Sequence, residues 1–277
     1  MTQTEVSHSS NKKSSKKKAT TSSASYARSF AIGLIIPALL LLIWEVASRA
    51  GIFPQYLLPA PSAVISTLVA LASSGELWTH VSSTLSRVLI GFFLGTIVAV
   101  VLGSFIGFFK PLERLFDPLL QALRSIPSLA WVPLFILWMG IAETSKVTLI
   151  AVGVFFPVYL NIVSGIQGVD RKLIEVGKVY NMSTASIITR IVLPASLPSF
   201  LVGIRSGLGL GWMFVVAAEL MGASEGLGFL LTLGQNTSRP DTILASIILF
   251  AILGKATDAI LKQLENRSLR WQDRYET

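Results

Sequence analysis

The chain has 277 residues, 23 Lys+Arg against 15 Asp+Glu, a formal net charge of +8, 52% hydrophobic residues and only 14% charged ones. Soluble domains carry about 25% charged residues, so too little polar surface is available here to cover a water-exposed fold. With no Cys, and His8 and His80 as the only histidines, a disulfide framework, cysteine-ligated zinc, an iron–sulfur cluster and a thiol nucleophile are excluded, and no metal site is expected. The basic excess does not point to nucleic acid, because it sits in short stretches between long apolar runs. This is the composition of a membrane protein.

Residues 1–28 read as a disordered basic tail of Ser, Thr and Lys, too poor in apolar groups to order themselves. A membrane-crossing helix takes about 20 apolar residues, and six such stretches follow, at roughly 29–48, 86–109, 119–140, 146–166, 199–222 and 242–262. The first is apolar except for Glu45, which stands four residues before Arg49 and suits an i,i+4 pair. Taking it as a cleaved signal peptide would leave an odd number of spans. Between the first two spans, LLPAPSAV (57–64) predicts a short helix capped by Ser62, with Ala63, Val64, Leu68 and Leu71 as its apolar stripe and Ser73, Ser74 and Gly75 as its stop. This helix is expected to lie on the outer membrane surface.

The second span places Gly91, Gly95, Ala99, Gly103 and Gly107 at every fourth position, and the fifth repeats the device with Gly203, Gly207 and Gly211. Small residues let helices approach where lipid gives no hydrophobic drive for association. A step of four advances roughly 400°, so such a ladder winds and can serve two neighbours. The third span carries Pro127 and Pro133. Arg205 and Glu219 interrupt the fifth, and Lys255 and Asp258, three residues apart, interrupt the sixth. The fold expected is all-α: a polytopic bundle of six spans.

Orientation follows from the basic residues at the span ends. One side holds Lys12, Lys13, Lys16, Lys17, Lys18 and Arg28, then Lys110, Arg114 and Arg124, then Arg171, Lys172, Lys178 and Arg190, then Lys262, Arg267, Arg270 and Arg274. The other holds Arg49, Lys146 and Arg239, with Arg87 near its boundary. Both termini are therefore expected in the cytoplasm, as an even number of spans requires. No nucleotide motif is present: Gly254-Lys255 is followed by Ala256, and Trp212 breaks the G-x-G-x-x-G that Gly207, Gly209 and Gly211 begin. Two histidines, one in the tail, supply no Ser-His-Asp set, so no enzyme is expected.

The segment between the fourth and fifth spans, GVDRKLIEVGKVYNMSTASIITRIVLPASLPSFLVGIR (168–205), predicts two short cytoplasmic helices. Leu173, Val176, Val179 and Tyr180 line one face, Asn181 makes the turn, Ser183 caps the second helix, and Pro194 and Pro198 stop it. The pattern resembles the E-A-A-x3-G-x9-I-x-L-P loop of permease subunits of ATP-binding-cassette importers. Glu175, Val176, Gly177, Asn181, Ile191, Leu193 and Pro194 stand in register. Both alanines and the glycine are replaced, but Asn tolerates the left-handed turn that the glycine would take.

The resemblance covers about residues 55–275 and includes LLPAPSAV, RSIPSLAWVPLFILWMGIAETSK and IVLPASLPSFLVGIRSGLGLGWMFVVAAEL. These, with the closing ILKQLENRSLRW, are similar to the nitrate/sulfonate/bicarbonate/taurine permease group, and within it GELWTH and the LGKATD…LE…LRW ending are similar to aliphatic sulfonate permeases. The resemblance implies a type I importer permease fold, with a core at about 80–265 in a transmembrane domain of 29–277. It implies a coupling loop at 168–198, with Asp170 to Pro194 docking an ATPase. The implied assembly is a pair of permease chains, most simply a homodimer, in a prokaryotic inner membrane. Two ATPase subunits would hold ATP and Mg, with no cofactor on this chain, and an extracytoplasmic binding protein would deliver the substrate. No nucleic acid takes part. The implied substrates, in order, are an alkanesulfonate, taurine, nitrate and bicarbonate.

Charges inside a bilayer are functional candidates. Glu219 and Arg205 are about 21 Å apart along one helix at 1.5 Å per residue, so they do not pair. The partner expected for Glu219 is Arg87, as an ion pair at the outer gate. Arg87, Arg205, Trp212 and Glu219 are thus the path or gate candidates. Met213, Ser125, Ser128, Ser206 and Asn161 are further candidates for lining a path. A secondary transporter or channel needing no ATPase would instead show midplane ionisable pairs and an inverted repeat, and would leave the cytoplasmic loop without a purpose.

Overall fold

The computed structural model describes residues 21–271, except for the side chains of residues 21–34 and Ser128; the Lys-rich tail lies outside them. All the regular elements among these residues are helices: α1 (Thr21–Arg49), α2 (Pro61–Ser74), α3 (Glu76–Phe108), α4 (Lys110–Ser125), a 3-10 turn (Ser128–Trp131), α5 (Val132–Met139) and α6 (Glu143–Gln167). Then come α7 (Arg171–Val179), α8 (Thr184–Ile187), a π turn (Ile188–Val192), α9 (Leu193–Leu220), α10 (Leu227–Asn236) and α11 (Pro240–Ser268). The chain divides after Ser62 into two compact units.

In the first unit α1 starts at Thr21, so residues 21–28, read from sequence as tail, are helical. The expected Glu45–Arg49 pair is formed at 2.5 Å. The Glu45 carboxylate also accepts from the Ser62 backbone N–H at 3.0 Å. Ser62 is therefore not the cap of α2; the helix begins one residue earlier, at Pro61, whose missing N–H costs nothing in a first turn. α2 ends at Ser74, as expected, and Gly75 takes φ 85°.

In the second unit α3, α6, the α8–α9 run and α11 are each long and apolar enough to cross a membrane. α4 and the Leu129–Met139 segment are together long and apolar enough for a fifth, and they meet at 84°. The straight third span expected at 119–140 is thus replaced. Ile126 takes extended backbone (φ −76°, ψ 123°), as a residue ahead of proline does, and Pro127 has no N–H to carry the helix on. The remaining expected span falls within α1.

α10 lies between the last two expected spans, where no helix was predicted. The prolines at the start of the fifth span do not stop a helix either. Pro194 lies inside the continuous run from α8 to α9, directly after the π turn, which takes up the irregularity that a residue without an N–H introduces. Pro198 lies within α9.

α6 is the centre of the bundle: 50% of its most apolar window is buried, against 33% for α3 and 11% for α11. The reason lies in matched steps of four. Ile150, Val154, Val158, Ile162 and Ile166 form a ridge on α6. A Cβ added at Gly91 would meet Ile150, one at Gly95 would meet Ala151 and Val154, one at Gly103 Ile162, and one at Gly107 Ile166. The α3 ladder therefore serves one neighbour, not two, because the α6 ridge winds with it. From the other side Gly203, Gly207 and Gly211 of α9 seat Asn161, Val158 and Val154.

Gly153 faces the Phe214 ring so closely that any Cβ would overlap it. Gly153→Leu is expected to abolish stable folding, since overpacking a dense core costs about 1–3 kcal/mol or more. Gly209→Ala, with nothing within 4 Å of its added Cβ, is expected to leave the melting temperature in detergent unchanged. Equal melting of the two variants would contradict the packing described.

Candidate functional site

Two constellations stand at opposite ends of the bundle. At the end carrying Gln167 and Leu193, α7 and α8 project as a hairpin. Asp170 caps α7, its Oδ1 accepting the Lys172 N–H at 2.9 Å, and Ser183 caps α8, accepting the Ser186 N–H at 3.3 Å. Between them Asn181 takes φ 54°. The Met182 N–H donates to the Gly177 carbonyl at 3.0 Å and the Asn181 N–H to the Lys178 carbonyl at 2.9 Å. This is the paired closure of a helix by a left-handed residue, and Asn is the non-glycine residue most at ease there.

The hairpin closes on a small residue. Gly177 is buried, and a Cβ on it would stand 2.9 Å from Ile191 Cδ1 and 3.2 Å from Ile187 Cγ1. The outer side of α7 is apolar but uncovered: Val176 is 53% exposed, Val179 80% and Tyr180 78%. Glu175 lies at the surface, 3.3 Å from Arg171. Leu193 and Pro194 open α9. Asp170 to Pro194 thus form one closed handle whose apolar face is uncovered among the described residues.

At the other end, where α6 starts and α9 stops, Arg87 and Glu219 meet as expected, Arg87 Nη1 donating to Glu219 Oε1 at 2.6 Å. Both side chains are buried. Three residues not singled out from sequence complete the cluster. Glu143 accepts from Arg87 Nε at 2.5 Å and Nη2 at 2.9 Å; Lys146 Nζ donates to Glu143 at 2.9 Å; Thr84 donates to Glu219 at 2.8 Å. Glu143 and Lys146 were visible as a three-apart pair opening a span, but nothing in the sequence tied them to Arg87.

The cluster also fixes the turn before α10. Arg87 Nη1 donates to the Glu225 carbonyl at 2.6 Å. The Gly226 N–H donates to His80 Nδ1 at 3.1 Å, the Leu227 N–H to Thr84 at 2.8 Å, and the Gly228 N–H to Glu219 at 2.8 Å. Gly226 has φ 121°, and a Cβ there would stand 2.5 Å from Glu219 Oε1, so both its backbone and its space demand glycine. Two cations and two carboxylates balance, joining α3, α6 and α9 to the α9–α10 turn.

The other two candidates bind α9 to α11. Arg205 donates to Asp258 at 3.0 Å and to Glu265 at 2.9 Å, so Asp258 takes Arg205 as its partner rather than Lys255, its neighbour in sequence. Trp212 Nε1 donates to Thr257 at 2.9 Å, and its ring stands edge-on to Phe250 at 6.3 Å. These contacts hold two helices together. Asn161 is turned back on its own helix, its Nδ2 donating to the Pro157 carbonyl. Ser125 bonds the Gln121 carbonyl, while Ser206 and Met213 are exposed on α9.

Comparison with known proteins fits this arrangement. The chain is 43% identical over 244 residues to the putative aliphatic sulfonates transport permease protein SsuC of Bacillus subtilis, covering 88% of each chain. It is 38% identical to the Escherichia coli protein of that name, over 87% of this chain and 91% of the other. It is 30% identical to the E. coli taurine transport system permease protein TauC, over 88% and 91%. An inward-facing structure of the MetNI methionine ABC transporter superposes with a TM-score of 0.59 at 17% identity, covering 72% of this chain and 98% of that one, and so shares the fold. Residues 91–270 match the family described as binding-protein-dependent transport system inner membrane component, and with that match, the relatives and the shared fold, the chain belongs to this family of importer permeases.

Proposed function

We propose that this chain is the permease of an importer for aliphatic sulfonates, working as a homodimer. Two ATPase subunits dock on the Asp170–Pro194 handle, and an extracytoplasmic binding protein delivers substrate at the end where Arg87 and Glu219 lie. ATP and Mg belong to the ATPases, and this chain performs no chemistry of its own. Its handle end, with Arg171, Lys172, Lys178 and Arg190, lies in the cytoplasm together with both termini, in the inner membrane of a prokaryote. The observation that carries the reading is the handle: an ordered helical hairpin, closed at Gly177 and Asn181, whose apolar outer face has no partner among the described residues.

Rigidity is what such a handle needs. Closure of the ATPases pushes on α7, and the π turn joins the handle end-on to α9, which packs along α6. A push there rocks the helices that open one side of the membrane and close the other. Sulfonate is favoured by the relatives at 43% and 38% identity, and taurine, itself a sulfonate, is the second reading, from the relative at 30%.

The test is uptake of a labelled alkanesulfonate by cells with and without this chain, with taurine and nitrate as competitors. Loss of uptake on deletion, with little competition by nitrate, is expected. Unchanged alkanesulfonate uptake would overturn the substrate while leaving the family standing.

A further inference from the structure

α4 carries its charges beside the apolar body of α6. Lys110, Glu113, Arg114, Asp117, Gln121 and Arg124 recur every three or four residues and so share one continuous face, roughly a third of the helix circumference. Leu115, Leu119 and Ala122 make the opposite face. Asp117, Gln121 and Arg124 line a cleft with Phe156, Tyr159 and Leu160 of α6. Within the α6 range Glu143–Gln167, Tyr159 lies about 24 Å from one end and about 12 Å from the other at 1.5 Å per residue. A hydrocarbon layer of about 30 Å therefore includes that level.

Arg114, Asp117 and Arg124 form no ion pair among the described residues, unlike Arg87 and Arg205. A charge at membrane depth without a partner faces water or another protein. The break at Ile126–Pro127 adds a second, independent observation, because irregular backbone at this depth is tolerated only against protein or a water-filled cavity. The order of charges has a sign as well. The carboxylates Glu113 and Asp117 lie toward Lys110, and the charge nearest the break is the cation Arg124.

We propose that the polar face of α4 lines the water-filled translocation path, and that Arg124 is the cation that selects an anion within it. The identity of that anion rests on the importer reading above; the wetness of the face does not. An anionic head group meets Arg124 before it meets either carboxylate, and the carboxylates nearer the cytoplasm then favour its release.

The absence of Cys from the chain makes a thiol-accessibility test clean. Gln121→Cys and Ser125→Cys on the polar side, with Leu119→Cys and Ala122→Cys on the apolar side, are made in the assembled importer. They are reacted in inside-out vesicles with membrane-impermeant methanethiosulfonates, one bearing a sulfonate and one a quaternary ammonium. Gln121→Cys and Ser125→Cys are expected to react at least about tenfold faster than the apolar pair, in keeping with the helical period. The preference of Gln121→Cys for the anionic reagent is expected to fall severalfold when Arg124→Gln is added, and to survive Arg124→Lys.

Equal rates on the two sides, or protection of Gln121→Cys as complete as that of Leu119→Cys, would mean that a second copy of the chain or lipid covers the face, and would overturn the proposal. A charge preference untouched by Arg124→Gln would overturn the role of Arg124. The labelling reads water access rather than transport. A wrong substrate assignment would therefore show in the uptake experiment and leave this result as it is.

Discussion

Arg87→Met is expected to remove the folded importer from the membrane, whereas Glu219→Gln is expected to leave most of it in place. The asymmetry comes from counting charges. Arg87, Lys146, Glu143 and Glu219 balance in the intact cluster. Without Arg87, Glu219 stays buried with only Thr84 and the Gly228 N–H as donors, and the Glu225 carbonyl loses its donor. Stripping one partner from a buried pair costs about 3–5 kcal/mol, a large share of what holds a helical domain together. Glu219→Gln keeps the shape and an acceptor oxygen, and Arg87 retains Glu143, so its cost is expected near about 1–2 kcal/mol.

The measurement is the amount of monodisperse protein extracted, followed by its melting temperature. A double variant, Arg87→Met with Glu219→Met, separates pinning from gating. Paired removal of a buried ion pair is often nearly neutral for stability, so the double variant is expected to fold better than Arg87→Met alone. Folding regained without uptake would assign the pair to the gate; both regained together would make it a structural pin. An Arg87→Met chain as abundant and stable as the parent would show that the cluster carries none of the fold.

Much of this architecture was legible because membrane insertion writes itself into long uncharged runs. The ladder Gly91–Gly107 announced close packing, and the Arg87–Glu219 pair followed from two charges at matching depth. What escaped was everything set by three-dimensional proximity. Nothing in the order of residues said that Glu143 would take two donors of Arg87, or that Asp258 would prefer Arg205 across a helix interface to Lys255 on its own helix.

Local chemistry also misled in two places. Proline reads as a stop, yet Pro194 sits within the continuous α8–α9 run, where the π turn just before it accommodates the missing N–H. The run at 119–140 looked continuous by hydropathy, but Ile126 and Pro127 break it, and the amphipathic α4 starts at Lys110 because its charges hid its helical period from a search for apolar runs. At the handle the sequence was more informative. Asn181 read as the turn residue, and the resemblance to the importer loop put Gly177 in register; that Gly177 packs against Ile187 and Ile191 is seen only in three dimensions.

Gly177→Arg is expected to abolish uptake and to prevent co-purification of the ATPase, while the chain still inserts. The space on which α7 rests is filled by Ile191 and Ile187, so a long charged side chain at 177 lifts the helix and turns its apolar face away from the ATPase that we propose docks there. Gly177→Ala is milder, because the nearest atom to its Cβ is the flexible tip of Ile191 at 2.9 Å; a partial loss of uptake is expected. Reversing the charge at the surface with Glu175→Lys added to Gly177→Arg is expected to leave no residual coupling.

Val179→Asp tests the docking surface without touching the hairpin. Val179 is 80% exposed, so the folded chain is expected to lose nothing. A central contact in an interface is worth about 2 kcal/mol or more, which is about a 30-fold loss of affinity. The readout is the concentration of ATPase that restores coupled hydrolysis in reconstituted membranes, and it is expected to rise by that factor for Val179→Asp. An unchanged concentration for Val179→Asp, together with intact co-purification of Gly177→Arg, would mean that the apolar face of α7 docks nothing, and that the handle acts on some other part of the importer.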